Sequence, residues 1–316
     1  MLIPKGQTTV PLRVQLKGGK LSFLVRGTCT YHAAISVSTD EVADVTVNFL
    51  EVSEYIPVDA TVDVEIAGSS GIRIESNAVC LILVPAYSTV DDIDLPDCSW
   101  KSLENSSLLI ALHTLAGTGL EGLYKTSPPL EMFGNLALLK YPNIYVQMRA
   151  PDLGMSVAMT QECAKYVHKF APSSYALLSN DTLVFKKYET LLYVPVKCIN
   201  SGTTCKDLIP EGGVSLRLDL DGFLSRLSAL RKLNADRCGI SLYNKGLTVS
   251  VSVDMSSITT SVGDRESGFL ASFMLPMQLA YICFRLLGNS LCEILYKEGV
   301  LCLRTPTLVI VVHVLS

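Results

Sequence analysis

The sequence predicts an α+β protein built from three repeated modules in which strands outnumber helices. Three observations predict it. One order of elements (strand, short helix, strand, tight turn, strand, strand) recurs from Val45, Met155 and Phe269, a spacing of about 110 residues. Most segments alternate apolar and polar side chains, the period of a half-buried strand rather than of a helix. The chain has 316 residues, 49% of them hydrophobic and 18% charged, enough to bury a large core and too apolar for a disordered polymer.

The elements follow in order. Val10–Leu16 alternates, Lys17-Gly18-Gly19-Lys20 turns the chain, and Leu21–Arg26 resumes as a hairpin partner. Tyr31–Ser38 is a third strand, and Val45–Ile56 reads as a strand entering a short amphipathic helix. Thr61–Ile66 and Gly71–Ser76 alternate on either side of a Gly-Ser-Ser-Gly turn, and Val79–Val84 is a buried strand. Ser99–Leu115 reads as a helix opening the second module. Met155–Met159 then leads into a helix over Gln161–Phe170, with strands at Tyr175–Leu178, Thr182–Phe185 and Leu191–Val196 and a Ser-Asn-Asp turn between the first two. In the third module Val214–Leu220 alternates, and Asp221–Leu233 carries Phe223, Leu224, Leu227 and Leu230 on one stripe of a helix. Gly239–Val253 reads as a hairpin about Asn244-Lys245-Gly246. Phe269–Phe273, a helix over Pro276–Leu287, then strands Leu291–Tyr296, Val300–Leu303 and Leu308–Val314 complete the repeat, the first two joined at Lys297-Glu298-Gly299. The boundaries that result are 1–97, 98–210 and 211–316. The first module has no helix before its first hairpin, where the second and third each have one.

Composition excludes several classes. A spanning helix needs about 20 apolar residues in a row. Leu270–Leu287 is interrupted by Pro276 and Arg285, and Leu308–Leu315 is too short. The N-terminus lacks the apolar run of a signal peptide. The expectation is a soluble, cytoplasmic protein with no membrane partner. The 10 cysteines contain no C-x-x-C pair and mostly sit in apolar surroundings, as at Val79-Cys80-Leu81 and Leu301-Cys302-Leu303, so they read as small core residues.

Catalytic signals are weak. Gly117-Thr-Gly-Leu-Glu-Gly122 matches G-x-G-x-x-G but follows a helix instead of a strand, so it reads as a helix-terminating loop. The four histidines, His32, His113, His168 and His313, lie at no metal-ligand spacing. His32 and His313, on strands, read as hydrogen-bonded structural residues. The acidic cluster Asp91, Asp92, Asp94 and Asp97 reads as a solvated linker. No catalytic residue, metal or cofactor is expected.

The net charge of −4 excludes wholesale coating of nucleic acid by a basic protein. The cations nevertheless collect on helices: Lys165 and Lys169 in one, Arg226, Arg231 and Lys232 in another, Arg285 in the last. Such a set offers phosphates a basic face, or is an ordinary solvated surface.

The pattern resembles a known family, the three-domain sliding clamp that forms the β subunit of bacterial DNA polymerase holoenzymes. Val45–Ile56 with Val62–Ile66 and Gly71–Ser76 looks like the second half of the first clamp domain. Met155–Phe170 with Thr182–Val196 looks like that half of the second, and Phe269–Val314 like the last domain. Lys206–Pro210 resembles the linker between the second and third domains. The resemblance implies a homodimeric ring around double-stranded DNA, helices inside and sheets outside, gripping phosphates without reading sequence. It implies a processivity factor, not an enzyme, associated with the nucleoid and partnered by a DNA polymerase and a clamp loader. Lys165, Lys169, Arg226, Arg231, Lys232 and Arg285 would face the duplex. Leu208, Ile209, Val312, His313 and Val314 would line the partner-peptide pocket. The chain departs from the family pattern there: Val312-His-Val-Leu stands where Met-Pro-Met-Arg is usual, and no Thr-Asp-Gly-His-Arg-Leu loop occurs near Lys140–Ile144. Such a divergent clamp is of the kind a phage or plasmid encodes. The main alternative is a structural or interaction protein, such as a virion component, built from repeated β-rich modules; a second is an enzyme whose site is made of scattered residues.

Overall fold

The first hairpin shows how local sequence sets the architecture. Gly18 and Gly19 both take positive φ, 58° and 70°, the backbone of a tight turn whose twist matches the flanking strands. The strands they join, β1 (Pro11–Lys17) and β2 (Lys20–Arg26), pair antiparallel with Leu16 opposite Leu21. The computed structural model describes residues 9–55, 61–67, 71–76, 79–85, 98–103, 107–179, 181–200, 204–253 and 256–314.

The chain continues through β3 (Thr30–Ser36), β4 (Ala43–Asn48), helix α1 (Phe49–Tyr55), β5 (Asp63–Ile66), β6 (Ile72–Glu75), β7 (Cys80–Leu83) and β8 (Lys101–Ser102). Next come α2 (Ser107–Ala116), α3 (Leu120–Tyr124), β9 (Leu130–Phe133), β10 (Leu136–Tyr141), β11 (Ile144–Arg149) and β12 (Val157–Met159). Then α4 (Gln161–Phe170), β13 (Ser174–Ser179), β14 (Thr182–Lys187), β15 (Thr190–Pro195) and β16 (Lys197–Cys198) follow. The last stretch holds a 3-10 turn at Cys205–Leu208, β17 (Val214–Asp219), α5 (Phe223–Arg231), β18 (Arg237–Val253), β19 (Ser256–Pro276), α6 (Met277–Leu287), β20 (Leu291–Lys297), β21 (Val300–Arg304) and β22 (Leu308–His313).

Contacts group these elements into two compact units, Met1–Ser106 with Lys165–Lys197, and Ser107–Ala164 with Cys198–Ser316. The first carries an eight-stranded antiparallel sheet, order β4-β1-β2-β3-β15-β14-β13-β8, and a three-stranded sheet, β5-β6-β7. Its core joins Val10, Leu12, Val14, Val45 and Val47 to Ile72, Ile74 and Leu83. The second carries a nine-stranded sheet, order β16-β12-β9-β10-β11-β22-β21-β20-β17, and the long ribbon β18-β19. Its helices bury one stripe each: Leu108, Ala111, Leu112 and Leu115 on α2, and Met277, Ala280, Cys283, Phe284 and Leu287 on α6. Phe223 of α5 meets Phe284 of α6 edge to face, ring centroids 5.2 Å apart.

Several sequence expectations change. Of the helix expected over Ser99–Leu115, the described helix covers Ser107 onward; Lys101 and Ser102 pair instead with Tyr175 and Ser174 as an edge strand. Gly239–Val253 is not a hairpin. It lies within one continuous strand, β18, paired along its length with β19, and Asn244–Gly246 marks an irregularity in register. Gly246 serves close approach there: a Cβ on it would stand 2.5 Å from the Asp264 carbonyl oxygen. Strands β9 to β11 stand where the sequence reading assigns no element; β10 runs three buried residues together, whereas β11 alternates in burial. The glycine-rich loop after α2 opens the five-residue helix α3, with Gly119 at φ 75°. Cys80 is exposed, whereas seven cysteines, including Cys163, Cys205, Cys283 and Cys302, are buried. The Nδ1 of His32 is buried with no hydrogen-bond partner among the described residues, so it is not the satisfied residue expected; burial lowers its pKa. Asp91–Asp97, Gly68–Ser70 and Asn180 lie outside the described residues.

Candidate nucleic-acid interface and partner pocket

The six cations named from the sequence all fall on helices or helix ends, as expected. Two belong to the first unit. Lys165 is half-buried and Lys169 exposed, both on α4, whose other face buries Cys163, Ala164, Tyr166 and Val167. Thr160 caps this helix, its Oγ1 accepting from the Cys163 amide at 3.1 Å.

The other four belong to the second unit. Arg226, Arg231 and Lys232 are exposed on α5 and its C-terminal cap. The Arg226 Nη2 donates to the Ser261 carbonyl at 3.2 Å. The Arg231 guanidinium lies over the Tyr281 ring, 4.1 Å from its centroid, which holds the cation beside α6. Lys232 donates its backbone amide to the Ala229 carbonyl and leaves its ammonium exposed. Arg285 serves the structure: its Nη2 donates to the Thr118 carbonyl at 2.5 Å and reaches the Gly117 carbonyl at 3.4 Å, just past the end of α2. A cation there also suits the negative end of that helix.

The residues named for the peptide pocket divide between the faces of β22. Leu208 and Ile209 pack with Val311, Cys205, Cys302, Phe133 and Leu138. His313, two residues on, shares that face and meets the Tyr145 ring at 6.0 Å. Val312 points the other way and is fully buried, opposite Ile144 and Leu301 in the sheet. Val311 is the residue that sequence reasoning misses. The signal for it is strand alternation: once His313 is taken as facing the pocket, Val311 faces it and Val312 does not. Val314 is half-buried, its amide donating to the Gly299 carbonyl at 2.6 Å.

The approach to this patch is rigidly built. Thr204 and Asp207 cap the 3-10 turn reciprocally, and hydrogen bonds from Thr204 hold the Asp207 carboxyl below the usual range. The Cys205 amide donates to the Gln147 side chain at 2.9 Å, tying the turn to β11. Half-buried Leu136, Val300 and Val309 widen the apolar surface around Leu208 and Ile209. Among the described residues no group of three or more histidine, cysteine or carboxylate side chains stands close enough to hold a metal. Among them, too, no helix is long and apolar enough to cross a membrane.

No protein-family model matches the sequence, and no curated protein matches it. Solved structures do match. A Helicobacter pylori beta clamp aligns over 99% of this chain and 94% of its own, with a TM-score of 0.78 at 12% identity. The DNA polymerase sliding clamp of Caulobacter crescentus aligns over 99% and 94%, with a TM-score of 0.76 at 14% identity. The beta subunit of DNA polymerase III from Pseudomonas aeruginosa aligns over 97% and 92%, with a TM-score of 0.73 at 12% identity. The chain therefore has the sliding-clamp fold from end to end, with a sequence that has diverged far from these relatives in shape.

Proposed function

We propose that this chain is a DNA sliding clamp, a processivity factor that encircles duplex DNA and tethers a replicative polymerase. The observation that carries the reading is the end-to-end likeness to bacterial clamps. Basic side chains exposed on helices of an otherwise acidic protein support it, because phosphate contacts grip DNA without reading its sequence. On this reading Lys165, Lys169, Arg226, Arg231 and Lys232 meet phosphates. Arg285 contributes charge while bound to the carbonyls that follow α2. The chain makes and breaks no bond; it raises the effective concentration of the polymerase at its template.

Two copies closing head to tail complete a ring of six modules, in the three-module division 1–97, 98–210 and 211–316. Free strand edges support this assembly. In the first unit β7 pairs with β6 alone among the described residues, with Ile82 exposed, and Val84 beyond it is exposed too. In the second, β19 pairs with β18 alone among the described residues and exposes Ile258, Phe269 and Met274. Uncovered apolar edges of this kind pair with another strand. Light scattering should give twice the chain mass of 34.3 kDa; a monomer at high concentration contradicts the ring.

The partner-peptide pocket on this reading is Leu208, Ile209 and His313, floored by the buried Val311; Val314 is not among the residues packed with them. One of the similar clamps was solved with a DNA ligase peptide bound, which supports peptide capture as the mode of partner binding. The clamp loader and polymerase are the expected partners. Leu208→Asp should abolish binding of a fluorescent peptide from the cognate polymerase while leaving the dimer intact. Unchanged affinity puts the pocket elsewhere.

A further inference from the structure

Apart from β16 at the edge of the second, the two large sheets match strand for strand. The order β4-β1-β2-β3-β15-β14-β13-β8 in the first unit repeats as β12-β9-β10-β11-β22-β21-β20-β17 in the second. Helix α4 precedes β13 as α6 precedes β20, and their burial runs in step: Gln161 with Met277, Cys163 with Leu279, Ala164 with Ala280 and Val167 with Cys283 are all buried. That alignment sets Lys169 at the place of Arg285, and both are exposed.

On the second sheet α2 packs over β10 and β11, and Arg285 donates to the carbonyls that end it. On the first, no helix precedes β1 among the described residues. A cavity of about 570 Å³ opens beside β2 and β3 instead, within the range of ligand pockets. Its apolar walls include Val10, Val25, Tyr31, Phe170 and Leu192. Its charged walls are Lys169 and Lys187, and none of the described carboxylates lines it.

We propose that this cavity docks an amphipathic helix supplied by another polypeptide, with its apolar stripe on β2 and β3 and its C-terminal carbonyls toward Lys169. The second sheet supplies the precedent within the same molecule, a helix held at its negative end by the side chain that corresponds to Lys169. Charge supports the same occupant, because two lysines with no carboxylate among the described walls favour the C-terminus of a helix over its N-terminus. The inference rests on the equivalence of the two sheets and does not depend on the clamp reading.

The probe is a labelled peptide of the Ser107–Gly117 sequence with three glutamates added at its N-terminus and a free C-terminal carboxylate. It is titrated into the full-length protein and followed by fluorescence anisotropy. Saturable binding is expected, and none for a scrambled peptide that lacks the stripe. Lys169→Glu, at an exposed position, should weaken binding at least tenfold, and Thr190→Trp should block the cavity, with circular dichroism unchanged in both. No saturable binding to the wild-type protein overturns the proposal, as does equal affinity for wild type and Lys169→Glu. The titration uses no DNA, so its failure is distinct from failure of the clamp reading.

Discussion

Arg285 directs its guanidinium at the carbonyls of Gly117 and Thr118, so its removal should be felt first as lost stability. Arg285→Ala should cost about 1–2 kcal/mol in urea unfolding, the range for a charge-assisted hydrogen bond that is partly solvated. Arg231 and Lys232 differ, because one is stacked on Tyr281 and the other is a helix cap with an exposed ammonium. Reversing both charges should weaken retention on DNA equally for all sequences and flatten the salt dependence by about one unit per lost contact. An unchanged salt slope would return these residues to an ordinary solvated surface. The cysteines carry a separate expectation. Burial pushes the thiols of Cys205, Cys238, Cys283 and Cys292 up to about 12, from a reference of 9.0. Between pH 9 and 12 the unfolded chain therefore loses thiol protons that the folded chain keeps, and stability must fall as pH rises through that window. Denaturant midpoints taken at about pH 8 and about pH 10.5 check the sign; replacing Cys283 with Ala should reduce the slope.

Elements are legible wherever one side chain in two, or one stripe in four, meets the core. The first hairpin, α4, α6 and the turn at Glu298-Gly299 follow from alternation, stripe and turn chemistry alone, and Glu298 and Gly299 do take φ of 48° and 80°. Strands buried on both faces are less legible, because Ala137, Leu138 and Leu139 of β10 are all fully buried and no period survives. The hairpin expected at Asn244–Gly246 fails for a different reason. Glycine marks both turns and places where two backbones come close, and Gly246 opposite Gly263 is the second kind. Gly263→Ala should accordingly destabilise the ribbon by about 1–3 kcal/mol, since its φ is 75° and a Cβ would stand 2.1 Å from the Lys245 carbonyl oxygen. The candidate pocket is half legible. Its linker residues sit where the chain order puts them, but the side chain beside them is Val311, because facing across a strand is decided by parity. Val312→Asp should thus unfold the protein by burying a charge, whereas Leu208→Asp, at a half-buried position, should lower the unfolding midpoint less.

For the whole molecule, the strand order shared by the first large sheet and eight strands of the second gives the chain an internal repeat that residue identity conceals. A sequence only 12% identical to a beta clamp still keeps that fold over 99% of the chain, as expected when a fold is set by pattern and burial more than by particular side chains. On the proposed reading the basic helices face DNA, and the uncovered edges β7 and β19 close the ring. These two features join in one claim, that the protein holds DNA by encircling it. A ring cannot leave a closed circle but slides off a free end, so topology separates encirclement from simple charge attraction. The direct measurement is gel filtration of the protein with nicked circular DNA before and after a single restriction cut. The account predicts co-elution with the circle and release once the DNA is linear. Equal retention on both forms, or on neither, would contradict it.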